Sequence, residues 1–117
     1  MTTNYREGVI VHVPFPFIDR PVQKLRPALV LSTATGSPGS DMIVLAMITS
    51  ARRSSWPTDI ALHDWEAAGL KAPCVVRFKL FSLDSALVHE RRGELTVADR
   101  ARVSDGLRTC FGAWFER

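Results

Sequence analysis

Apolar positions along the chain fall into short alternating runs, followed near the end by one helical stripe. Val9, Val11 and Val13 alternate with Ile10 and His12, which predicts a strand from Gly8 to Val13 with one face more polar than the other. Pro14 and Pro16 lack backbone donors, so Pro14-Phe15-Pro16-Phe17 predicts an extended exit into a loop through Asp19-Arg20-Pro21 to Lys24. Ala28 to Ser32 reads as a short buried strand, Thr35 to Ser40 as a turn cluster, and Met42 to Ile48 as the next apolar strand. Ala51 to Pro57 is an irregular basic loop that contains Trp56, and Asp59 to Leu62 fits a short strand.

Asp64 to Gly69 predicts one or two helical turns, with Asp64 as the N-cap and Gly69 just past the end. Cys74 to Leu83 alternates again, with Val76, Phe78 and Leu80 opposite Val75, Arg77, Lys79 and Phe81. A further strand is expected around Leu87 to Glu90. Thr96 caps the last helix, and Asp99 completes a capping-box spacing. Val103, Leu107, Cys110, Phe111, Trp114 and Phe115 then recur three and four residues apart, an apolar stripe suited to docking on a sheet. Short strands followed by one amphipathic helix predict a small, mostly antiparallel β-barrel with helical additions.

Composition narrows this picture only a little. A chain of 117 residues, 46 % hydrophobic and 23 % charged, suits one globular domain spanning residues 1–117. Cys74 and Cys110 sit among apolar residues without CxxC spacing, which predicts two reduced, buried thiols. The start lacks a long apolar segment, and the longest apolar run, Met42 to Ile48, is too short to span a bilayer. A soluble, cytoplasmic chain with no membrane partner is expected.

Charge is unevenly placed. Residues 1–58 carry six Lys/Arg against three acids, whereas residues 59–117 carry nine of each. The net +3 therefore lies in the half holding the loops after the first and third strands, where a polyanion would be drawn.

Candidate chemistry is sparse. His12, His63 and His89 show no metal-ligand spacing, and GxSxG, P-loop and GxGxxG signatures are absent, so neither a metal nor a nucleotide cofactor is expected. What remains is a set of arginines and hydroxyls. Pro27 biases Arg26 towards extended geometry where a loop re-enters a strand, and Thr49-Ser50 ends a second strand. Arg77 lies on the polar side of its own strand. A fixed guanidinium and a hydroxyl aimed at one point suit a phosphate oxygen. On spacing alone, surface arginines and a stiff strand end explain these residues as well.

The same residues resemble the PemK/MazF toxins. The likeness is carried by Gly8 to Phe17, Lys24-Leu25-Arg26-Pro27-Ala28, Met47-Ile48-Thr49-Ser50, Asp64 to Leu70, Val75-Val76-Arg77 through Asp84, and Gly93-Glu94-Leu95-Thr96, in that order. The resemblance implies an SH3-like barrel with a short helix and a C-terminal helix, and a homodimer. It implies metal-independent, sequence-specific cleavage of single-stranded RNA, and a cognate antitoxin whose tail lies across the RNA groove. Functional roles then fall to Arg26 and Thr49, with Arg77 aiding phosphate binding or leaving-group protonation.

Where PemK-type members have an Asp two residues after that last arginine, this chain has Lys79. The nearest acid before Arg26-Pro27 is Asp19, so the resemblance names no general base. Lys24, Ser50, Arg52, Arg53 and Lys79 are candidates for neighbouring RNA phosphates, and Trp56 for stacking on a base. A solvated loop accounts equally for Arg52 and Arg53, and a lid over the barrel end for Trp56. Two rivals share this outline: a CcdB-like topoisomerase poison, and a catalytically weak relative that only binds RNA or antitoxin.

Overall fold

Three bulges shape a single six-stranded antiparallel sheet. The computed structural model describes residues 5–14, 24–35 and 41–116. The expected loop after Pro14 and most of the turn cluster before Asp41 lie outside them. Strands β1 (Val9–Pro14), β2 (Leu25–Thr35), β3 (Asp41–Ser50), β4 (Ile60–Ala61), β5 (Cys74–Asp84) and β6 (Glu90–Glu94) pair in the order β4-β5-β3-β2-β1-β6. Register slips at Ile10/Val11 against β6, at Val30/Ser32 between β2 and β3, and at Ala46/Met47 against β5. An extra residue on one strand raises local twist, so three bulges curl the sheet into a half-barrel.

Both faces of the curl are covered. Val9, Val11, Val13, Ala28, Val30, Ile43 and Leu45 form the core on one side. Ile10, Leu29, Ala46, Ile48 and Val76 meet Leu62, Ala68 and Leu70 of the 62–70 turn and Val103 of helix α1 (Val97–Phe111) on the other side. The Ile10 and His12 face of β1 is the more polar one, as expected: His12 is half-buried beside a fully buried Ile10, whereas Val9, Val11 and Val13 are all buried. In β5 the expected alternation fails. Met47 pairs with Arg77 and Ala46 with Leu80, so Phe78 and Lys79 are bulged out of register and Leu80 is exposed.

Other boundaries shift for local reasons. β2 runs well past the expected Ala28–Ser32, because its bulge absorbs Leu31 and pairing resumes at Ser32. The strand expected around Leu87–Glu90 is Glu90–Glu94, preceded by a 3-10 turn that Asp84 caps by accepting from the Ala86 amide at 2.9 Å. The short helix expected at Asp64–Gly69 closes instead as hydrogen-bonded turns, with Ala68 donating to Asp64 and Leu70 to Trp65. Gly69 has φ +91, as a residue ending such a turn requires. A Cβ on Gly93 would overlap the Ala68 carbonyl, so this glycine pair lets the turn lie against β6.

Asp64 is not an N-cap: its carboxylate accepts from the Thr96 hydroxyl at 2.8 Å. Thr96 does cap α1, accepting from the Asp99 amide at 3.3 Å. The Asp99 side chain does not close the box. It is fully buried and accepts from the backbone amides of His63 and Asp64 at 2.9 and 2.8 Å, tying the helix start to the turn. Only part of the predicted stripe docks. Val103, Leu107 and Phe111 pack inwards, but Trp114 and Phe115 are 86 % and 83 % exposed after α1 ends. Cys110 is exposed and Cys74 half-buried, which corrects the expectation of two buried thiols. No helix among the described residues is long and apolar enough to cross a membrane.

Candidate nucleic-acid interface at the ends of β2 and β3

Arg26 and Thr49 lie at the neighbouring ends of β2 and β3 and line one cavity. Ala28 pairs with Met47, and carrying that antiparallel register two residues further sets Arg26 across from Thr49 on the same face. Arg26 pairs with Val13 on its other side, and Thr49 with Val75, so neighbouring strands fix both. Ser50 follows and caps a 3-10 turn, Ala51–Arg53, by accepting from the Arg52 amide at 3.2 Å. The Ala51 amide donates to the Pro73 carbonyl at 3.0 Å, holding this basic turn over the strand ends.

Lys24, Arg26, Thr49, Ser50, Arg52 and Arg53 line one cavity of about 440 Å³, with Pro27, Ile48, Ala72 and Cys74 completing its wall. Six of the nine residues singled out from sequence therefore converge. Four are cations, and no carboxylate is among the described lining residues. Thr49 is nearly buried at its floor, Arg26 is half-buried, and Lys24, Arg52 and Arg53 are exposed at the rim. Converging cations and hydroxyls at such a mouth favour an anion with several oxygens. A larger hollow of about 720 Å³ includes Arg6 and Arg91, but both donate to Glu94 at 3.0 Å, which offsets their charge.

The other three residues lie apart from that cavity's lining. Arg77 is 11 % exposed and locked in a bidentate pair with Asp59, Nε to Oδ1 at 3.1 Å and Nη2 to Oδ2 at 2.8 Å. Trp56 stacks over it, its ring centre 4.9 Å from the guanidinium carbon. Lys79 is exposed on the β5 bulge. Burial pushes the Asp59 carboxyl up, but hydrogen bonds from Arg77, the Trp56 amide and Ser54, with the Arg77 charge, outweigh it and hold the group below the usual carboxylate range.

Asp59 is the residue that sequence reasoning passed over. Ile60 pairs with Val76, and one step back along that register sets Asp59 beside Arg77. The acid and the base are 18 positions apart, and only the strand register, which no local pattern declares, brings them together. The histidines form no cluster: His12 is half-buried with Nδ1 3.6 Å from Glu90, while His63 and His89 are exposed. Nowhere among the described residues do three His, Cys, Asp or Glu side chains group as metal ligands would.

The described residues thus form a curled antiparallel half-barrel with a basic, hydroxyl-bearing cavity at its strand ends. Residues 6–111 match the model of the PemK-like, MazF-like toxins of type II toxin–antitoxin systems, and the chain belongs to that family. Solved structures agree in fold. An endoribonuclease in complex with its cognate antitoxin, from a Mycobacterial species, superposes with a TM-score of 0.70 at 18 % identity, over 93 % of this chain and 96 % of that one. MazF from Deinococcus radiodurans gives 0.68 at 26 % identity, over 95 % and 99 %. No curated protein sequence matches the chain.

Proposed function

We propose that this chain is the toxin of a type II toxin–antitoxin pair and cuts single-stranded RNA without metal. The observation that carries this reading is the meeting of Arg26 and Thr49 in a cavity lined by four cations and two hydroxyls. Family membership supports it, as does the likeness to a structure described as an endoribonuclease bound to its antitoxin. The chain acts in the cytoplasm as a homodimer, and its activity is held in check by a cognate antitoxin.

Cleavage proceeds by transesterification. The RNA 2′-oxygen loses its proton and bonds to the adjacent phosphorus, the bond to the 5′-oxygen breaks, and that oxygen gains a proton. The products are a 2′,3′-cyclic phosphate and a 5′-hydroxyl end. The substrate supplies its own nucleophile, so the protein has to align the attack and stabilise charge growing on the phosphoryl oxygens. Arg26 and Thr49 do this. Lys24, Ser50, Arg52 and Arg53 hold the flanking phosphates, and Lys79 reaches the strand further out. Each cation that neutralises one phosphate contributes roughly 0.7 to the salt slope of single-strand binding.

Lys79, standing where PemK-type relatives carry an Asp, favours one alternative, a family member that binds RNA but cuts it weakly. Treating total RNA with the purified chain and sequencing the new 5′-hydroxyl ends separates the two. Ends clustered at a short motif, and lost with Arg26→Ala, support the ribonuclease. No new ends, with RNA still bound, support the binder. A CcdB-like topoisomerase poison would leave RNA both uncut and unbound.

A further inference from the structure

Asp59 gathers its whole loop around one carboxylate. It is 2 % exposed and accepts from the Ser54 hydroxyl at 3.1 Å and from the Ser55 and Trp56 amides at 3.3 Å, while Arg77 closes the other side. Arg77 Nη2 also donates to the Arg53 carbonyl at 2.9 Å, so the same guanidinium fixes the end of the basic turn. A guanidinium locked by a carboxylate and stacked on an indole is set in both plane and position. Trp56 is 40 % exposed. One face of its ring lies against the Arg77 guanidinium, and two fifths of the residue stays in solvent.

We infer that Asp59 and Arg77 are positioning residues that hold Trp56 as a preformed stacking platform for an RNA base beside the Arg26–Thr49 cavity. The inference rests on the RNA-cleaving reading above. Arg53 lines the cavity and Trp56 follows three residues later, so their Cα atoms lie within about 11 Å. A base next to the phosphate held there comes within reach of the indole. Stacking accepts any base through its π-face, and a platform ordered in advance loses little freedom on binding. Arg77 is thereby assigned away from the reacting phosphate. It is paired with Asp59 and lies outside the cavity lining, which holds Lys24, Arg26, Arg52 and Arg53.

Two measurements test this. One is binding of a short random-sequence 2′-O-methyl RNA, which cannot attack its own phosphate. The other is steady-state cleavage of an RNA carrying the wild-type cut site. Trp56→Ala is expected to weaken binding and raise KM about tenfold while leaving kcat within about threefold, with Trp56→Phe restoring most of the loss. Arg77→Gln and Asp59→Asn should match Trp56→Ala, and Arg77→Gln should add nothing on the Trp56→Ala background. A kcat loss of about 100-fold in Arg77→Gln that Trp56→Ala does not share would overturn the assignment, because Arg77 would then touch the reacting phosphate. Wild-type binding by Trp56→Ala, an exposed loop change that keeps the test open if the other variants unfold, would overturn it equally. Should the wild type cut no RNA, the ribonuclease reading falls while the binding arm still decides the platform.

Discussion

Asp59 and Arg77 meet through two parallel hydrogen bonds of 3.1 and 2.8 Å, and this pair joins the loop carrying Trp56 to strand β5. The contact is nearly dry on the acid's side, so its protonation governs the loop. Asp59 titrates below its ordinary value of 3.8. Its contribution is therefore complete above that value and is lost as pH falls through the lower, folded-state value. The protection of the Ser55 and Trp56 amides, relative to their intrinsic exchange at each pH, should hold down to about pH 4 and fall below it. Asp59→Asn should show little protection throughout. Protection in Asp59→Asn equal to wild type at pH 6 would show that the carboxylate does not hold the loop.

Asp99 binds helix and turn more tightly than a cap would. Asp99→Ala leaves the His63 and Asp64 amides without their acceptor and should destabilise the fold by about 2–3 kcal/mol in urea unfolding. Thr96→Ala, which removes the cap itself and the bond to Asp64, should cost about 1–2 kcal/mol. A smaller loss for Asp99→Ala than for Thr96→Ala would place the anchor in the cap.

The turn at residues 65–70 can lie on β6 only while Gly93 has no side chain. Gly93→Ala drives a methyl group into the Ala68 carbonyl, a backbone atom with little room to move, and should cost about 2 kcal/mol. Gly112→Ala, where a Cβ meets nothing, serves as the control and should change stability by less than about 0.5 kcal/mol.

Cys74 reports on the cavity. Burial pushes its thiol up, while Cys110 is exposed. An uncharged maleimide should label Cys110 first and Cys74 slowly. Because Cys74 lines the cavity, bound single-stranded RNA should protect it and leave Cys110 unchanged. Equal protection of both thiols would argue that the RNA lies elsewhere.

Much of this arrangement was legible in the residues. The valine alternation of β1, the Pro27-directed entry of Arg26 and the Thr96 cap each depend on local chemistry, and each appears in the structure. Family resemblance singled out Arg26 and Thr49 together with Arg77, and Lys24, Arg52 and Arg53 were read from their charge; the cavity gathers all of these but Arg77, because spacing alone cannot set two strand ends side by side. What escaped were effects of register. The bulge at Phe78–Lys79 breaks a clean alternation, and the Asp59–Arg77 pair exists only once β4 and β5 are aligned. The stripe through Trp114 and Phe115 had the right period but outran its helix, which ends at Phe111, so those two rings stay in solvent.

The most direct test of the central claim is a single atom in the substrate. An RNA containing the preferred cut site is compared with the same strand bearing one 2′-deoxynucleotide on the 5′ side of the scissile phosphate, with wild type, Arg26→Ala and Thr49→Val. We predict that the deoxy strand binds but is not cut there, and that each variant cuts the all-ribose strand about 100-fold more slowly with little change in binding. Continued cleavage at the deoxy position would contradict the 2′-hydroxyl attack, and variants as fast as wild type would contradict the roles given to Arg26 and Thr49.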